Sequence, residues 1–452
     1  MQTHFKRTLT LLPLIILGLA YMAPMAVFSP YGIVAQMTNG MVAGAYVTAL
    51  IMILFTAYSY GKMVKAFPSS GSAYTYTTRA INPHLGFLVG WSVLMDYLFL
   101  PMLNNMAAGI FLSAAFPEIP IWAWVLLFTV IVTIINIFGI QVNVKLNGLL
   151  LIFQTLVTLL FLIFAIRGIH NGMGMATLFS TLPFYNPDAS FSALFAGASV
   201  VCLSFLGFDA VTTLSEETLE PTKNVPKAIF FIALIGGVLF IAVAYFAQLV
   251  YPEYKSFTVA DSASFEIVQA IGGTLLSAIF TAGIITSTFA ASLSSHATAA
   301  RLLYAMGREG VLMRSLFGYL HPRWKTPVFN VLVIGVFCLL ALFLEFATAA
   351  SFINFGALVA FTFVNLSVIA HYYVSGRERG ARGAFLFVLL PIVGACFNIW
   401  IWASLDRHAM LLGCSWIAIG LIYLAILTRF FRQKPPQLYL EEVERQSGAF
   451  SE

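Results

Sequence analysis

Long apolar stretches recur along the whole chain, and most of the charged residues collect in the short segments between them. A bilayer core of roughly 30 Å takes a helix of about 20 apolar residues. On that measure the pattern predicts spans at residues 11–35, 41–60, 85–115, 121–140, 146–167, 191–215, 228–250, 267–304, 328–346, 350–372, 384–405 and 409–430. The expected fold class is therefore an all-α integral membrane protein with twelve transmembrane helices. The first run follows Lys6 and Arg7 and has the outline of a signal peptide, but it is too long for one and further spans follow it. No soluble domain interrupts the series, so residues 1–452 read as a single transmembrane domain, with 431–452 as a polar tail.

Composition agrees with the pattern: 60% of residues are hydrophobic and 9% charged, where a soluble domain carries about a quarter charged residues. Charge placement then sets orientation. An even number of spans puts both termini on one side. With the N-terminus cytoplasmic, the outer segments receive Arg167, Lys255 and Arg407, and the remaining 20 of the 23 lysines and arginines fall inside, a strong positive-inside asymmetry. Cys202, Cys338, Cys396 and Cys414 all lie in apolar stretches and read as packing residues, with no sign of a disulfide framework or a metal site. No Gly-Lys-Ser/Thr phosphate loop is present, which argues against nucleotide-driven pumping. The remaining polar groups are scattered within helices, so the function is expected between them.

Two spans carry helix-breaking chemistry. Span 1 contains "GLAYMAPMAVFSPYG", in which Pro24 and Pro30 each remove a backbone donor. Span 6 contains "SFLGFDAVTT", with Gly207 beside Asp209. Freed backbone groups in lipid must find partners or line a wet cavity. Interruptions in corresponding helices of two halves point to a transporter's midplane site; the other reading is two ordinary kinks.

Asp209 is the leading candidate. A lone aspartate at mid-bilayer costs about 2.5–3.5 kcal/mol, so it must face the interior and meet a cation, donors or water. It is expected either to hold a cationic substrate or a proton, or to bond unwound backbone structurally. Asp96 in "GWSVLMDYLFLP" of span 3 is the second candidate, with a helix–helix hydrogen bond as the alternative. No lysine or arginine lies deep in a span to neutralise either acid, which is the physical argument for a cationic substrate. Glu216, two turns beyond Asp209 and close to Lys223 and Lys227, reads as a gate or a solvated ion-pair cluster. Glu345 is expected to be solvated at the end of span 9. His296 in span 8 could carry protons or serve structurally. Tyr21, Trp91, Tyr97, Phe205 and Phe208 are the aromatics near the expected site that could stack on an ammonium or its alkyl chain.

"ARLLYAMGREGVL" followed by "FGYLHPRWKTPVFNVL" resembles the signature after span 8 of the amino acid–polyamine–organocation (APC) transporters. "FINFGALVAFTFVNLSVIAHY" resembles that superfamily's span 10, and "SYGKMVKAFPSSGSAYTY" its span 2 to 3 junction. "GLAYMAPMAVF", "GWSVLMDYLFLPM", "CLSFLGFDAVTTLSEET" and "VPKAIF" look most like its bacterial putrescine importers. The resemblance implies a 5+5 inverted repeat with discontinuous helices 1 and 6, the first repeat at 11–167, the second at 191–372, and two additional helices at 384–430. It also implies proton-motive uptake across the bacterial cytoplasmic (inner) membrane. Amino-acid carriers of the superfamily hold the substrate carboxylate on a Gly-x-Gly break, where this chain has Pro24-Met25-Ala26. Pro24 offers no amide hydrogen, which suits a diamine without a carboxylate. Asp209 matches the position where related diamine and arginine carriers hold an acid, and Gln154 stands where some proton-coupled relatives hold a lysine.

The expected function is a secondary importer of putrescine or a similar small cationic amine, coupled to protons. Asp209, Asp96, Tyr21, Pro24, Trp91, Phe205 and Gly207 would form the substrate site, and Glu216, His296 and Gln154 would serve coupling or gating. The rival within the fold is an amino-acid permease or an amino-acid/amine exchanger of the same superfamily. A channel should show a continuous polar pore lining, a sensor a soluble output domain and an enzyme a clustered nucleophile or metal set, and none of these is visible. No cofactor, nucleic acid or obligatory protein partner is expected; the substrate, protons and the lipid bilayer are.

Overall fold

Proline, glycine and short polar links divide the apolar chain into helices of very unequal length. The structure, a computed structural model, describes residues 9–435 apart from 69–71, 139–143, 309–311, 323, 325 and 377. In chain order the α-helices are α1 (Leu11–Met22), α2 (Tyr31–Met37), α3 (Val42–Ala66), α4 (Ser72–Ala80), α5 (Pro83–Ala115), α6 (Ile121–Phe138), α7 (Val144–His170), α8 (Phe191–Val201) and α9 (Pro221–Val250). They continue as α10 (Ala263–Arg308), α11 (Arg314–Phe317), α12 (Val328–Cys338), α13 (Phe346–Val368), α14 (Ala381–Ala384), α15 (Leu390–Ala403) and α16 (Arg407–Leu427). Among the described residues the only β-type pairing is one isolated bridge, Leu9 to Thr218.

Eleven of the described segments are long and apolar enough to cross a membrane. The expected span 328–346 is the exception, a shorter apolar helix over Val328–Leu342. It ends in a 3-10 turn over Leu339–Leu342, which rises about 2 Å per residue against 1.5 Å in an α-helix. Eleven α-helical and four 3-10 residues thus reach about 25 Å. The next helix starts at Phe346 rather than 350, because Glu345 takes extended backbone angles (φ −81°, ψ 149°) and stands as the N-cap of α13. Span 8 also differs from expectation: Gly273 has φ +63° and breaks α10 near one end, a conformation glycine adopts at little cost. No proline marks that break, so the pattern reads through it.

The two interruptions foreseen in spans 1 and 6 are present as backbone geometry. α1 stops at Met22, Ala23 takes φ +52°, and the chain passes through a 3-10 turn at Ala26–Phe28 before α2. α8 tightens into a 3-10 turn at Cys202–Phe205; Leu206 is extended (ψ 135°), Gly207 has φ +104°, and a second 3-10 run spans Ala210–Glu217.

The enclosed centre and the rim are distinct. In α3 and the segment continuing α13, 67% and 72% of the apolar window is buried, against 17% in α16, so the last helix lies at the periphery. α3 packs chiefly on α9, and α5 on α10 and α13. Short α4, too polar and brief to register as a span, tucks between α5 and α13 with Ala73, Thr75, Tyr76 and Thr77 buried. Cys202 and Cys338 are buried, while Cys396 and Cys414 face outward from α15 and α16.

Candidate functional site

The broken stretches of spans 1 and 6 meet each other, and neighbouring helices take up the backbone groups they release. A Cβ added at Gly207 would stand 3.0 Å from Tyr21 Cβ, so the turn before Asp209 can approach α1 only as glycine. The Ala26 carbonyl, beyond the Pro24 break, accepts from Ser204 Oγ at 3.3 Å, and Ser204 in turn pairs with Tyr46 Oη of α3 at 3.0 Å. Asn354 Nδ2 of α13 donates to the Ser199 carbonyl at the end of α8 (2.7 Å). Ser264 Oγ donates to the Phe28 carbonyl at 2.6 Å. Each bond satisfies an acceptor that an unbroken helix would have paired internally.

Asp209 stands just past the Gly207 turn, half-buried. Its Oδ2 accepts a hydrogen bond from Tyr60 Oη of α3 at 3.1 Å. Phe208 is fully buried, its ring edge-on to Tyr60 and Phe361 at 5.9 and 5.3 Å, which holds Tyr60 at the carboxylate. Asp96 of α5 lies within electrostatic reach of Asp209, and its Oδ1 is enclosed without a hydrogen-bond partner. Tyr97 is near both acids and Tyr21. Neither aspartate takes part in an ion pair among the described residues; the pairs present, Lys223–Glu220 and His408–Asp406, lie at exposed helix starts. Two carboxylates thus share one low-dielectric neighbourhood with neutral donors only. Among the described residues, no three His, Cys, Asp or Glu side chains gather where a metal ion could sit.

The other expected residues divide. Tyr21 keeps 56% of its surface open and lines the break opposite Gly207. Pro24 is buried in the break itself. Gln154 Oε1 accepts from Ser287 Oγ at 3.1 Å, between α7 and α10, one turn from Val157 and Gly283, against which the tip of Met25 packs. Phe205 is fully buried against Tyr46 and Phe240, a packing residue beneath the turn.

Trp91 is a correction. Its indole donates to the Trp416 carbonyl at 2.9 Å, Trp416 returns the bond to the Trp91 carbonyl at 2.8 Å, and the rings stack at 4.9 Å. With its N–H used and its face covered by α16, it is committed to helix docking and not to a substrate. His296 is fully buried, with Nε2 3.0 Å from the Val331 carbonyl of α12 and Nδ1 enclosed without a hydrogen-bond partner. Glu216 belongs to the 3-10 run Ala210–Glu217, but its side chain lies outside the described residues. Sequence reasoning missed Tyr60, which carries no signal of its own: it is one tyrosine of "YSYGKMVKAF", 149 residues from its partner.

Paired broken helices around an unpaired acid, in a bundle of membrane-length helices, define a membrane transporter. The chain belongs to the amino acid permease family, whose model matches residues 14–430. It is 43% identical over 440 residues to the low-affinity putrescine importer PlaP of Escherichia coli K12, covering 96% of this chain and 97% of that protein. It is 27% identical to the methylthioribose transporter of Bacillus subtilis (94% of each chain) and 25% identical to the branched-chain amino acid permease BcaP of the same organism (95% and 94%).

Proposed function

We propose that the protein is a secondary importer of putrescine or a similar small cationic amine, working by alternating access. The observation that carries this reading is Asp209: a carboxylate at the turn of a broken helix, held by the Tyr60 hydroxyl and faced by the backbone N–H groups of Gly207 and of Asp209 itself, with no ion-pair partner among the described residues. One substrate ammonium pairs with Asp209. Asp96, with an oxygen left without a donor, receives the second ammonium. Tyr21 and Tyr97 cover the alkyl chain between them. Likeness to the putrescine importer over nearly the full length supports the same cargo.

The matching breaks in spans 1 and 6 support the 5+5 inverted repeat, with Val328–Leu342 as a short twelfth span and two trailing helices. The excess of lysine and arginine in alternate loops supports cytoplasmic termini in a bacterial inner membrane. Energetically, a dication gains about 4.6 kcal/mol per 100 mV of inside-negative potential, twice the value per charge. That corresponds to about a thousandfold accumulation or more. The potential alone is enough to drive uptake.

The test is uptake of labelled putrescine into proteoliposomes under an imposed potential, with competitors. Diamines should compete strongly and zwitterionic amino acids weakly. The reverse order would assign the protein to amino-acid transport, the activity that the name of BcaP describes.

A further inference from the structure

Where α3 nears its end, a lysine is half-buried among aromatic rings without a counter-charge. Lys62 Nζ lies 5.2 Å from the centre of the Tyr58 ring and 5.0 Å from that of Phe387. No ion pair among the described residues includes it. The charged groups facing it are Lys65, Glu378 and Arg382, so three cations share the place with one carboxylate. Aromatic faces attract an ammonium but carry no net charge, and the excess of positive charge stays unanswered. The frame around Lys62 is unusual. α13 runs on into a π-helical turn over Ile369–Ser375, and a second such turn over Phe385–Leu389 joins α14 to α15. Turns of this kind are rare and gather at functional sites. The two turns meet through Tyr372 and Phe387, stacked at 4.6 Å. Tyr58 Oη donates to the Leu386 carbonyl at 3.0 Å, and Tyr372 Oη to the Lys62 carbonyl at 2.9 Å, so α3 is tied to both. The lysine is thereby fixed in place, while Lys65 and Arg382 are exposed and open the cluster outward. Val374, Phe385 and Leu389, on the same two turns, present exposed apolar side chains.

We propose that Lys62, Lys65 and Arg382 bind the phosphodiester headgroup of an anionic phospholipid whose acyl chains lie against Val374, Phe385 and Leu389. Basic pockets between helices at the membrane boundary hold such headgroups, because the phosphates of the bilayer lie at that depth. An anionic headgroup brings the negative charge that the cluster lacks. A zwitterionic headgroup brings an ammonium of its own, which the three cations repel. Free phosphate has the charge but no chain for the exposed apolar flank. On the orientation proposed from the loop charges, the lipid belongs to the cytoplasmic leaflet. The inference uses that reading only to name the leaflet and is independent of the cargo.

The test uses the full-length protein in a neutral detergent, to which phosphatidylglycerol or phosphatidylcholine is added. Retained lipids are counted by native mass spectrometry, and thermal stability is followed alongside. Wild type should retain phosphatidylglycerol in preference to phosphatidylcholine and gain stability from it. One nearby cation is worth about fivefold in attraction for an anionic headgroup, so Lys62→Gln and Arg382→Gln should each weaken retention by about that factor. Lys62→Arg should keep it. Arg382 is exposed, so its variant gives an answer should Lys62→Gln fail to fold. Arg314→Gln, at an exposed cation of α11, should change nothing. Equal retention of the two lipids overturns the site, as does wild-type retention in both glutamine variants. A matching loss in Arg314→Gln overturns it in favour of diffuse surface charge. Displacement of the lipid by inorganic phosphate overturns it in favour of a free anion. None of these readouts involves putrescine, so a failure of the substrate reading shows separately, in the uptake assay.

Discussion

Two buried polar clusters sit one turn apart on α3 and differ in how well they are satisfied. Around Thr56 and Ser59 the network closes on itself. Ser59 Oγ donates to Asn365 Oδ1 at 2.6 Å, Asn365 Nδ2 donates to Thr56 Oγ1 and to the Phe361 carbonyl, and Asn398 Nδ2 donates to Thr56 Oγ1 at 3.2 Å. All four residues are 0% exposed, and they tie α3, α13 and α15 together. Around Tyr60 the account does not close: Asp209 has one side-chain donor, and Asp96 Oδ1, Tyr76 Oη and Thr212 Oγ1 have none. A fully satisfied network rigidifies its helices, whereas an under-satisfied one is unstable until something else arrives. The first cluster is scaffold. The second is where, on the proposed reading, a charged guest completes the hydrogen bonding.

The sharpest way to break this contrast is Asp209→Asn. Uptake should fall at least about a hundredfold, equivalent to about 2.7 kcal/mol of lost stabilisation, while thermal stability holds or rises, because a half-buried charge without an ion-pair partner is removed. Wild-type transport by this variant, in the proteoliposome assay, would place the acid with the scaffold. Tyr60→Phe should have a smaller effect. It removes one hydrogen bond to a carboxylate, worth about 1.5 kcal/mol, so KM for putrescine should change by about tenfold with little change in protein yield. An unchanged KM would show that the hydroxyl does not shape the substrate site. Asn398→Leu should move uptake least, within about twofold per folded protein. It leaves Thr56 without one of its donors and should cost about 1–3 kcal/mol of stability, seen as a lower Tm in detergent. A Tm at the wild-type value combined with impaired uptake would reverse the roles of the two clusters.

How much was legible in advance depends on whether a residue's chemistry conflicts with its own neighbourhood in the chain. Asp209 conflicts with the apolar run around it, and Pro24 with the helix it interrupts, so both stand out in one dimension. Gly273 does not, since glycine is common in membrane helices and only its φ of +63° reveals the break. Trp91 shows the opposite error. A tryptophan near an aspartate suggests an aromatic wall, but its partner is Trp416, 325 residues away. The overrun at 346 arose because Phe343–Glu345 are too few and too apolar at their start to mark a turn between two apolar helices.

The sequence by itself determined the membrane class, nearly all the spans, the two interrupted helices and the acid between them. Each of these follows from the cost of placing a charge, a missing donor or a polar run in hydrocarbon, a cost that acts locally and can be read residue by residue. Only the tertiary structure decided which groups answer that acid. Tyr60, Tyr76 and Asp96 come from three other helices, and whether a buried hydroxyl or carboxylate is satisfied depends on contacts between residues far apart in the chain, on which linear pattern is silent.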